Sequence, residues 1–445
     1  MSTREQWGSR RGFILATIGA AVGLGNIWRF SYVAGENGGA VFLFIYLVCI
    51  LLVGLPLVIA ELSLGRSAQG DAVAAYELAD NGGFWRHLGW LGVAGSVLIL
   101  SYYAVIAGWA LKYFTGAAIG TLWTTAEAGY GAFFSTFIAD GGEPVGWQAA
   151  MLALTTFTVA GGVQGGIERI NRYLMPVLVV IIASLAAYAM SLPNAGAGVR
   201  FMFAPDWSAF AEPKVYVAAL GQAFFSLGIG MAVFVTYGSY MPRNFSLATS
   251  ATAIAFGDSL FAIVAGLAIF PAVFSFGVDP AAGPELAFIT LPQVFLAMPG
   301  GKVIGTVFFL LLSAAAFTSM VALLEVPVSV AVQRLKLRRW TASGLVGGIV
   351  FVVGVPSALS FGTLSHIQIG RYGILDAIDA GVSNFLLPLG GILMALFVGW
   401  RVRQSVSLRE ADLTDSRFGI AWLWLLRILV PITILGILLQ SASTL

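Results

Sequence analysis

Long apolar segments alternate with short polar connections along almost the whole chain. Runs of about 17 to 30 apolar residues are the length that a bilayer core requires. The pattern predicts an all-α membrane protein with eleven transmembrane helices, at roughly 11–35, 40–64, 88–114, 147–163, 170–192, 214–240, 245–276, 303–332, 341–356, 372–400 and 418–440.

The first and sixth predicted spans are each interrupted by glycine and polar residues. The first contains AVGLGN at 21–26, and the sixth contains SLGIG at 226–230. Unpaired backbone groups cost several kcal/mol in hydrocarbon, so a broken helix at membrane depth is tolerated only where it is buried in protein or lines a cavity. Two broken spans at corresponding places of two halves point to the binding site of a secondary transporter.

The matched breaks also predict the domain organisation. If five spans form one half, the next five begin from the opposite side of the membrane, which generates an inverted repeat. We expect one transmembrane domain over 1–445, with a first repeat at about 11–192, a second at about 214–400 and an extra helix at about 418–440.

Composition and charge limit the classes of protein to which the chain can belong. Hydrophobic residues make up 59% of the chain and charged residues 10%, against about a quarter charged in soluble domains. The net charge of +2 predicts no nucleic-acid partner, and the lipid bilayer is the expected environment. Most lysines and arginines near span ends fall on one side, so the positive-inside rule predicts a cytoplasmic N-terminus and an external C-terminus.

Few residues suit enzyme chemistry. Cys49 is the single cysteine, and the two histidines, His87 and His366, fall near opposite membrane faces. An intramolecular disulfide is therefore excluded, and a His/Cys metal site or a Cys–His nucleophile pair is not expected. The sequence predicts a protein that is not an enzyme.

Ionisable residues inside the spans are functional candidates, because a charge at the bilayer centre costs about 2.5 to 3.5 kcal/mol on insertion scales. Arg29 follows the first break, and Asp379 lies in the outer third of the tenth span. This pair could close a cavity from outside, or it could be a structural ion pair. For Glu61 we expect a structural role.

Two groups of oxygen-bearing residues could bind cations. Ala315, Thr318 and Ser319 stand at i, i+3 and i+4 on one helix face, where they could hold sodium or serve helix–helix contact. Asp258 could supply a second cation with Asn26 and Ser226, or it could be a protonated structural residue.

Aromatic residues beside the breaks suit a small ligand. Tyr103 lies four residues after Ile99 on the third span, and Phe225 precedes the second break. A phenol beside freed helix ends could bind a carboxylate while an aromatic ring covers it. Packing alone is the alternative.

Four motifs resemble the neurotransmitter:sodium symporter family, and most closely its bacterial amino-acid branch. They are GLGNIWRF at 23–30, ENGG at 36–39, QAFFSL at 222–227 and FTS at 317–319. The resemblance covers about residues 4–400. It implies a 5+5 inverted-repeat fold and a multi-pass protein of the bacterial inner membrane.

The resemblance also implies two sodium ions and an amino-acid site. One sodium would bind Ala21, Asn26, Ser226 and Asp258, and the other Gly19, Val22, Ala315, Thr318 and Ser319. The substrate would contact the backbone or side chains of Ala20, Ala21, Leu24, Gly25, Ile99, Tyr103, Phe225, Ser226, Gly228, Met231, Ser319 and Leu323. Phe225, Arg29 and Asp379 would form the outer gate.

Some positions depart from the family pattern. Gly23 replaces the aspartate with which monoamine carriers bind an amine, so an amino acid is expected. Ala262 replaces the serine of chloride-dependent members, while Asp258 supplies a fixed negative charge, so chloride independence is expected. Gln333 replaces the aspartate that pairs with the N-terminal arginine, here Arg4, which leaves the inner gate open to question.

The function predicted is sodium-coupled symport of neutral, hydrophobic amino acids by alternating access. A sodium-independent amino-acid permease of the same architecture is an alternative that Thr318 and Ser319 argue against. A sensor that binds an amino acid without transporting it is another.

Overall fold

The computed structural model describes residues 5–125, 129–277, 286–414 and 416–443, and this part of the chain is almost entirely helical. Its helices are α1 (Arg10–Ala21), α2 (Gly25–Glu36), α3 (Ala40–Ala68), α4 (Ala72–Ala79), α5 (Arg86–Ile119), α6 (Thr121–Thr124), α7 (Tyr130–Ala139), α8 (Glu143–Ala160), α9 (Val163–Met190), α10 (Ala195–Phe203), α11 (Pro213–Leu227), α12 (Val233–Ser239), α13 (Leu247–Ser275), α14 (Thr290–Ala297), α15 (Gly301–Arg334), α16 (Arg339–Ala358), α17 (Ile374–Arg401), α18 (Gln404–Glu410) and α19 (Arg417–Gln440). A short 3₁₀ helix, Trp207–Ala211, precedes α11. The strands β1 (Gln368–Ile369) and β2 (Tyr372–Gly373) form a small antiparallel hairpin in which Gln368 lies opposite Gly373.

Within the described residues, eight helices are long and apolar enough to cross a membrane, or nine if the bent pair α1 and α2 is one span. The prediction of an all-α membrane protein with interrupted first and sixth spans is confirmed. The count of eleven is not. The predicted fourth span corresponds to α8 and the sixth to the separate helices α11 and α12, which lie outside those nine because they are less apolar or shorter.

The first break lies between α1 and α2. Ser9 begins α1 by accepting a hydrogen bond from the Gly12 N–H at 3.0 Å, which satisfies one free amide of the first turn. The helix ends at Ala21, and Val22 is extended with φ −73° and ψ 108°. The chain resumes as α2 at an angle of 54° to α1.

The second break, between α11 and α12, needs left-handed backbone. Gly228, Gly230 and Ala232 have φ of 71°, 85° and 57°. Glycine adopts such angles without steric cost. At Gly230 a Cβ would also lie 2.9 Å from the Leu387 carbonyl oxygen, so this position has room only for glycine.

The two longest helices lie at the centre of the molecule. The most apolar stretches of α5 and α15, which are 34 residues each, have 78% of their residues buried, whereas those of α9 and α19 have 28% and 29%. The central helices therefore carry side chains into the core beside both breaks, and α9 and α19 face outward.

Candidate functional site

A small cavity lies between the two breaks. It is lined by Ala20, Ala21, Gly23, Gly25, Ile99, Tyr103, Phe225, Leu227, Gly228, Met231, Val233, Ser319, Ala322 and Leu323. Ten of the twelve substrate residues expected from the sequence are in this lining, and Leu24 and Ser226 lie directly behind it. Gly23 lines the cavity too, in keeping with its expected place beside the ligand, whereas Leu227, Val233 and Ala322 were not anticipated.

Tyr103 anchors the first break. The Leu24 N–H donates to the Tyr103 hydroxyl oxygen at 2.9 Å, and the Gly23 N–H donates to Asn26 Oδ1 at 3.0 Å. A Cβ on Gly23 would lie 2.5 Å from Ser319 Oγ and 2.6 Å from the Tyr103 hydroxyl oxygen. The site therefore has no room for an aspartate at position 23.

A buried polar cluster centres on Asp258. Its Oδ1 accepts from Asn26 Nδ2 at 2.7 Å, and both carboxylate oxygens lie 2.8 Å from Ser226 Oγ. The Tyr46 hydroxyl donates to Oδ2 at 3.1 Å. The cluster joins the first break, the end of α11, α13 and α3. Tyr46 was missed from the sequence because only the folded packing of α3 brings it here.

This cluster suits a hard cation. Oxygen atoms are the ligands that such ions prefer, and the Ser226 hydroxyl and the Asp258 carboxylate lie 2.8 Å apart. Asn26 approaches both through Nδ2, while its Oδ1 accepts from the Gly23 N–H. Asp258 is fully buried, and the described residues form no ion pair with it. A monovalent cation would balance its negative charge.

A second group of oxygens joins the first break to α15. Ser319 Oγ lies 3.3 Å from the Val22 carbonyl oxygen and 3.4 Å from that of Ala315, and Thr318 Oγ1 lies 2.9 Å from the Ala315 carbonyl oxygen. These four expected cation ligands therefore lie together. Gly19, the fifth, packs against Asn171, whose Oδ1 would be 2.1 Å from a Cβ at position 19.

Glu61 holds the second break. It is fully buried on α3, and its Oε1 accepts from the Gly230 N–H at 2.8 Å. Ser96 on α5 donates to the Met231 carbonyl oxygen. Both side chains satisfy backbone groups that the interrupted helix leaves unpaired. The structural role expected for Glu61 is therefore to bond the backbone of the second break. Ser96 carried no recognisable signal in the sequence.

The outer candidates do not form the expected ion pair. The Arg29 guanidinium lies 4.5 Å from the centroid of the Phe225 ring, and its Nη1 donates to Gln222 Oε1 at 3.3 Å. Asp379 accepts from Tyr102 at 2.8 Å and from Ser383 at 3.1 Å. In this conformation Arg29 stacks on Phe225, which lines the cavity, and Asp379 bonds to Tyr102 and Ser383 instead.

The inner candidates are also arranged differently. Arg4 lies outside the described residues, and Gln333 accepts a hydrogen bond from the Asp71 N–H. Instead Trp7 donates from Nε1 to the Tyr237 carbonyl oxygen at 3.0 Å. The sequence analysis did not single out this contact, which attaches the N-terminal segment to α12.

Arg339 bridges the same region. It pairs with Glu325 and, at 3.4 Å, with Glu5, and its Nε donates to the Val159 carbonyl oxygen at 2.9 Å. Glu5 in turn accepts from the Val163 N–H at 2.7 Å. The N-terminal segment is therefore tied to α8, α9, α15 and α16.

Comparison with known proteins gives a match over nearly the whole chain. Residues 4–132 and 134–445 match the family described as "Sodium:neurotransmitter symporter family". An uncharacterised sodium-dependent transporter of Bacillus subtilis is 38% identical over 438 residues, which cover 98% of this chain and 97% of that protein. An uncharacterised sodium-dependent transporter of Methanocaldococcus jannaschii is 32% identical, covering 99% of this chain and 91% of that protein.

A solved structure is also similar over nearly the whole chain. The crystal structure of MhsT in complex with L-phenylalanine has a TM-score of 0.93 and 48% sequence identity, covering 98% of this chain and 100% of that chain. The similarity to MhsT is therefore one of sequence as well as of fold.

Proposed function

Because the chain belongs to the sodium:neurotransmitter symporter family, we propose that it takes up neutral, hydrophobic amino acids by alternating access, coupled to sodium. Members of this family are sodium-dependent transporters and not enzymes, so a transport function follows from membership. Three points go beyond family membership and are proposed here: the substrate is an amino acid, two sodium ions are bound, and transport does not need chloride.

One observation carries it: the cavity is bounded by both helix breaks. Freed amide and carbonyl groups at such breaks bind the charged ends of a zwitterion and the coupling ions. The lining of this space by residues of α1, α5, α11 and α15 supports its assignment as the site of a small charged substrate.

For the first sodium we propose the Asp258 cluster, with Asn26, Ser226 and the Ala21 carbonyl as further ligands. The buried, unpaired charge of Asp258 supports this assignment. For the second sodium we propose Thr318 and Ser319 with the carbonyls of Gly19, Val22 and Ala315. The Ser319–Val22 contact between α15 and the first break supports it.

For the substrate we propose that the carboxylate binds the Leu24 and Gly25 amides and the Tyr103 hydroxyl, while the ammonium binds carbonyls around Ala21, Phe225 and Ser226. The lack of space at Gly23 disfavours an amine that would need a carboxylate from the protein. Ile99, Met231 and Leu323 make the cavity wall apolar. MhsT, which is similar over its whole length, was solved with L-phenylalanine.

The fixed charge of Asp258 also supports chloride-independent transport. Residue 262, four positions along α13, is a fully buried alanine without an oxygen for an anion. The carboxylate is thus already in place to balance a cation, and a soluble anion is not needed for that purpose.

Two sodium ions would suffice for concentrative uptake. Each ion gains about 2.3 kcal/mol per 100 mV of membrane potential and about 1.4 kcal/mol per tenfold gradient. The total of about 7 kcal/mol would sustain roughly a 10⁵-fold accumulation of a zwitterion under tight coupling. If Asp258 returned protonated, the net charge moved per cycle would fall to about one.

We propose a multi-pass location in a bacterial inner membrane with the N-terminus in the cytoplasm and the C-terminus outside. The excess of arginine and lysine on the side of residues 334–339 and 401–417 supports this orientation. The proposed repeats at about 11–192 and 214–400 would then be inverted relative to each other.

Reconstitution in proteoliposomes tests the proposal. Labelled leucine or phenylalanine should accumulate with an inward sodium gradient, with gluconate replacing chloride, and competition by a panel of amino acids should rank apolar ones first. Equal uptake in choline buffer would indicate a sodium-independent permease. Binding without accumulation or counterflow would indicate a sensor.

A further inference from the structure

A long apolar groove runs along the line where α8 packs against α16, on the outside of the helix bundle. It is open along its length and extends from Ala149 to Ala160 on α8 and from Trp340 to Phe351 on α16. The eleven steps between the first and last of these residues on each helix rise about 16 Å, close to half of the roughly 30 Å hydrocarbon core of a bilayer. The groove therefore has the depth of one membrane leaflet.

Two glycines of α16 keep the groove open. A Cβ on Gly344 or Gly348 would meet nothing within 4 Å, whereas one on Gly347 would lie 2.3 Å from Thr156 Oγ1. Contact with α8 therefore explains Gly347 but not the other two. Glycine lowers the stability of a helix interior relative to alanine. At Gly344 and Gly348 this cost keeps side chains out of the groove.

The mouth of the groove is basic. Lys336 and Arg338 immediately precede α16 and are exposed, and neither side chain forms an ion pair or hydrogen bond with another residue in the described part of the chain. Arg339 differs, because Glu325 and Glu5 neutralise it. Trp340, 64% exposed, lies at the same end, where aromatic residues mark a membrane interface.

We propose that this groove binds one anionic phospholipid from the leaflet that faces the basic loops. One acyl chain lies along Gly344 and Gly348, and the phosphate-containing headgroup contacts Lys336 and Arg338. Charge complementarity identifies the occupant: the walls accept hydrocarbon, and the two unpaired cations at the mouth select a negative headgroup over a zwitterionic one. The groove lies apart from the central cavity and shares no lining residue with it.

Quenching of Trp340 fluorescence by lipids with brominated acyl chains tests the site in the purified, full-length protein. Brominated phosphatidylglycerol should quench wild type more than Trp340→Phe, and at lower lipid concentration than brominated phosphatidylcholine does. Each cation is expected to contribute about fivefold. Lys336→Gln with Arg338→Gln should therefore weaken phosphatidylglycerol binding about 25-fold, whereas the exposed Lys302→Gln should leave it unchanged.

Filling the groove provides a second, independent test. A Cβ at Gly348 meets nothing within 4 Å, so Gly348→Leu should fold and retain sodium-driven uptake but lose the Trp340-dependent quenching. Gly436→Leu on α19, which also meets nothing within 4 Å at Cβ, is the matched control and should keep it.

Three results would overturn the proposal: equal quenching by the two lipids, quenching that Trp340→Phe leaves unchanged, or lipid binding by Gly348→Leu equal to that of Gly436→Leu. A native mass of two chains in wild type but one in Gly348→Leu would also overturn it. A second copy of the chain, rather than a lipid, would then fill the groove.

Discussion

The substitution Tyr103→Phe removes one hydroxyl and tests the proposed binding of the substrate carboxylate. Tyr103 is buried on α5, and its hydroxyl oxygen accepts from the Leu24 N–H at 2.9 Å. In the variant this amide, which lies at the first break, loses its acceptor. The ring remains and still fills the same space, so the helix packing should be preserved.

The magnitude follows from the bonds that are lost. An unsatisfied buried N–H costs about 1 to 3 kcal/mol, so the substrate-free variant should unfold at a lower temperature. A hydrogen bond to a charged group contributes about 1.5 to 3 kcal/mol. Loss of the proposed bond to the substrate carboxylate should therefore raise the half-saturating amino-acid concentration about 10- to 150-fold.

Sodium-driven uptake and a thermal unfolding curve, measured on the same preparations, check both effects. Tyr113→Phe is the matched control, because Tyr113 lies on the same helix, is fully buried and has a hydroxyl without a hydrogen-bond partner among the described residues. It should change neither quantity appreciably. Half-saturation in Tyr103→Phe within twofold of wild type would refute the proposed carboxylate site.

Three further substitutions have defined outcomes. Glu61→Ala should lower the unfolding temperature in detergent more than Glu61→Gln, which keeps an acceptor for the Gly230 N–H; the reverse order would contradict the role assigned to Glu61. Asp258→Asn should raise the sodium concentration for half-maximal uptake about 10- to 150-fold, because a charged ligand is lost, and an unchanged sodium curve would exclude Asp258 as a ligand. Gly228→Leu, which strains the backbone at a φ of 71° and is therefore compared only in protein shown to be folded by thermal unfolding, should shift preference toward smaller amino acids, since its Cβ would lie 3.8 Å from Met231 Sδ; an unaltered competition profile would count against the proposed pocket.

The breaks could be predicted from the sequence because their signal is local. Glycine and polar residues inside an apolar run identify both interruptions without knowledge of the fold, and α1 and α11 do end at Ala21 and Leu227. Asn26, Ser226 and Asp258, which were grouped as oxygen ligands, also lie in one hydrogen-bonded cluster.

The partners of these groups could not be predicted, because they depend on how distant helices pack. Tyr46 reaches Asp258 from α3, and Glu61 reaches Gly230 across the bundle. Nothing local to either residue indicates those contacts. For the same reason the sequence did not predict that Arg29 lies over Phe225 rather than beside Asp379. It also did not predict the ion pair between Arg339 and Glu325.

Sodium-driven accumulation by Asn26→Ala and Thr318→Ala tests the central claim most directly. Wild type in proteoliposomes should concentrate leucine or phenylalanine against its gradient when sodium is high outside. Each variant should lose that concentration while remaining folded by thermal unfolding. Accumulation in both variants equal to wild type would contradict the claim that the two helix breaks bind sodium and amino acid together.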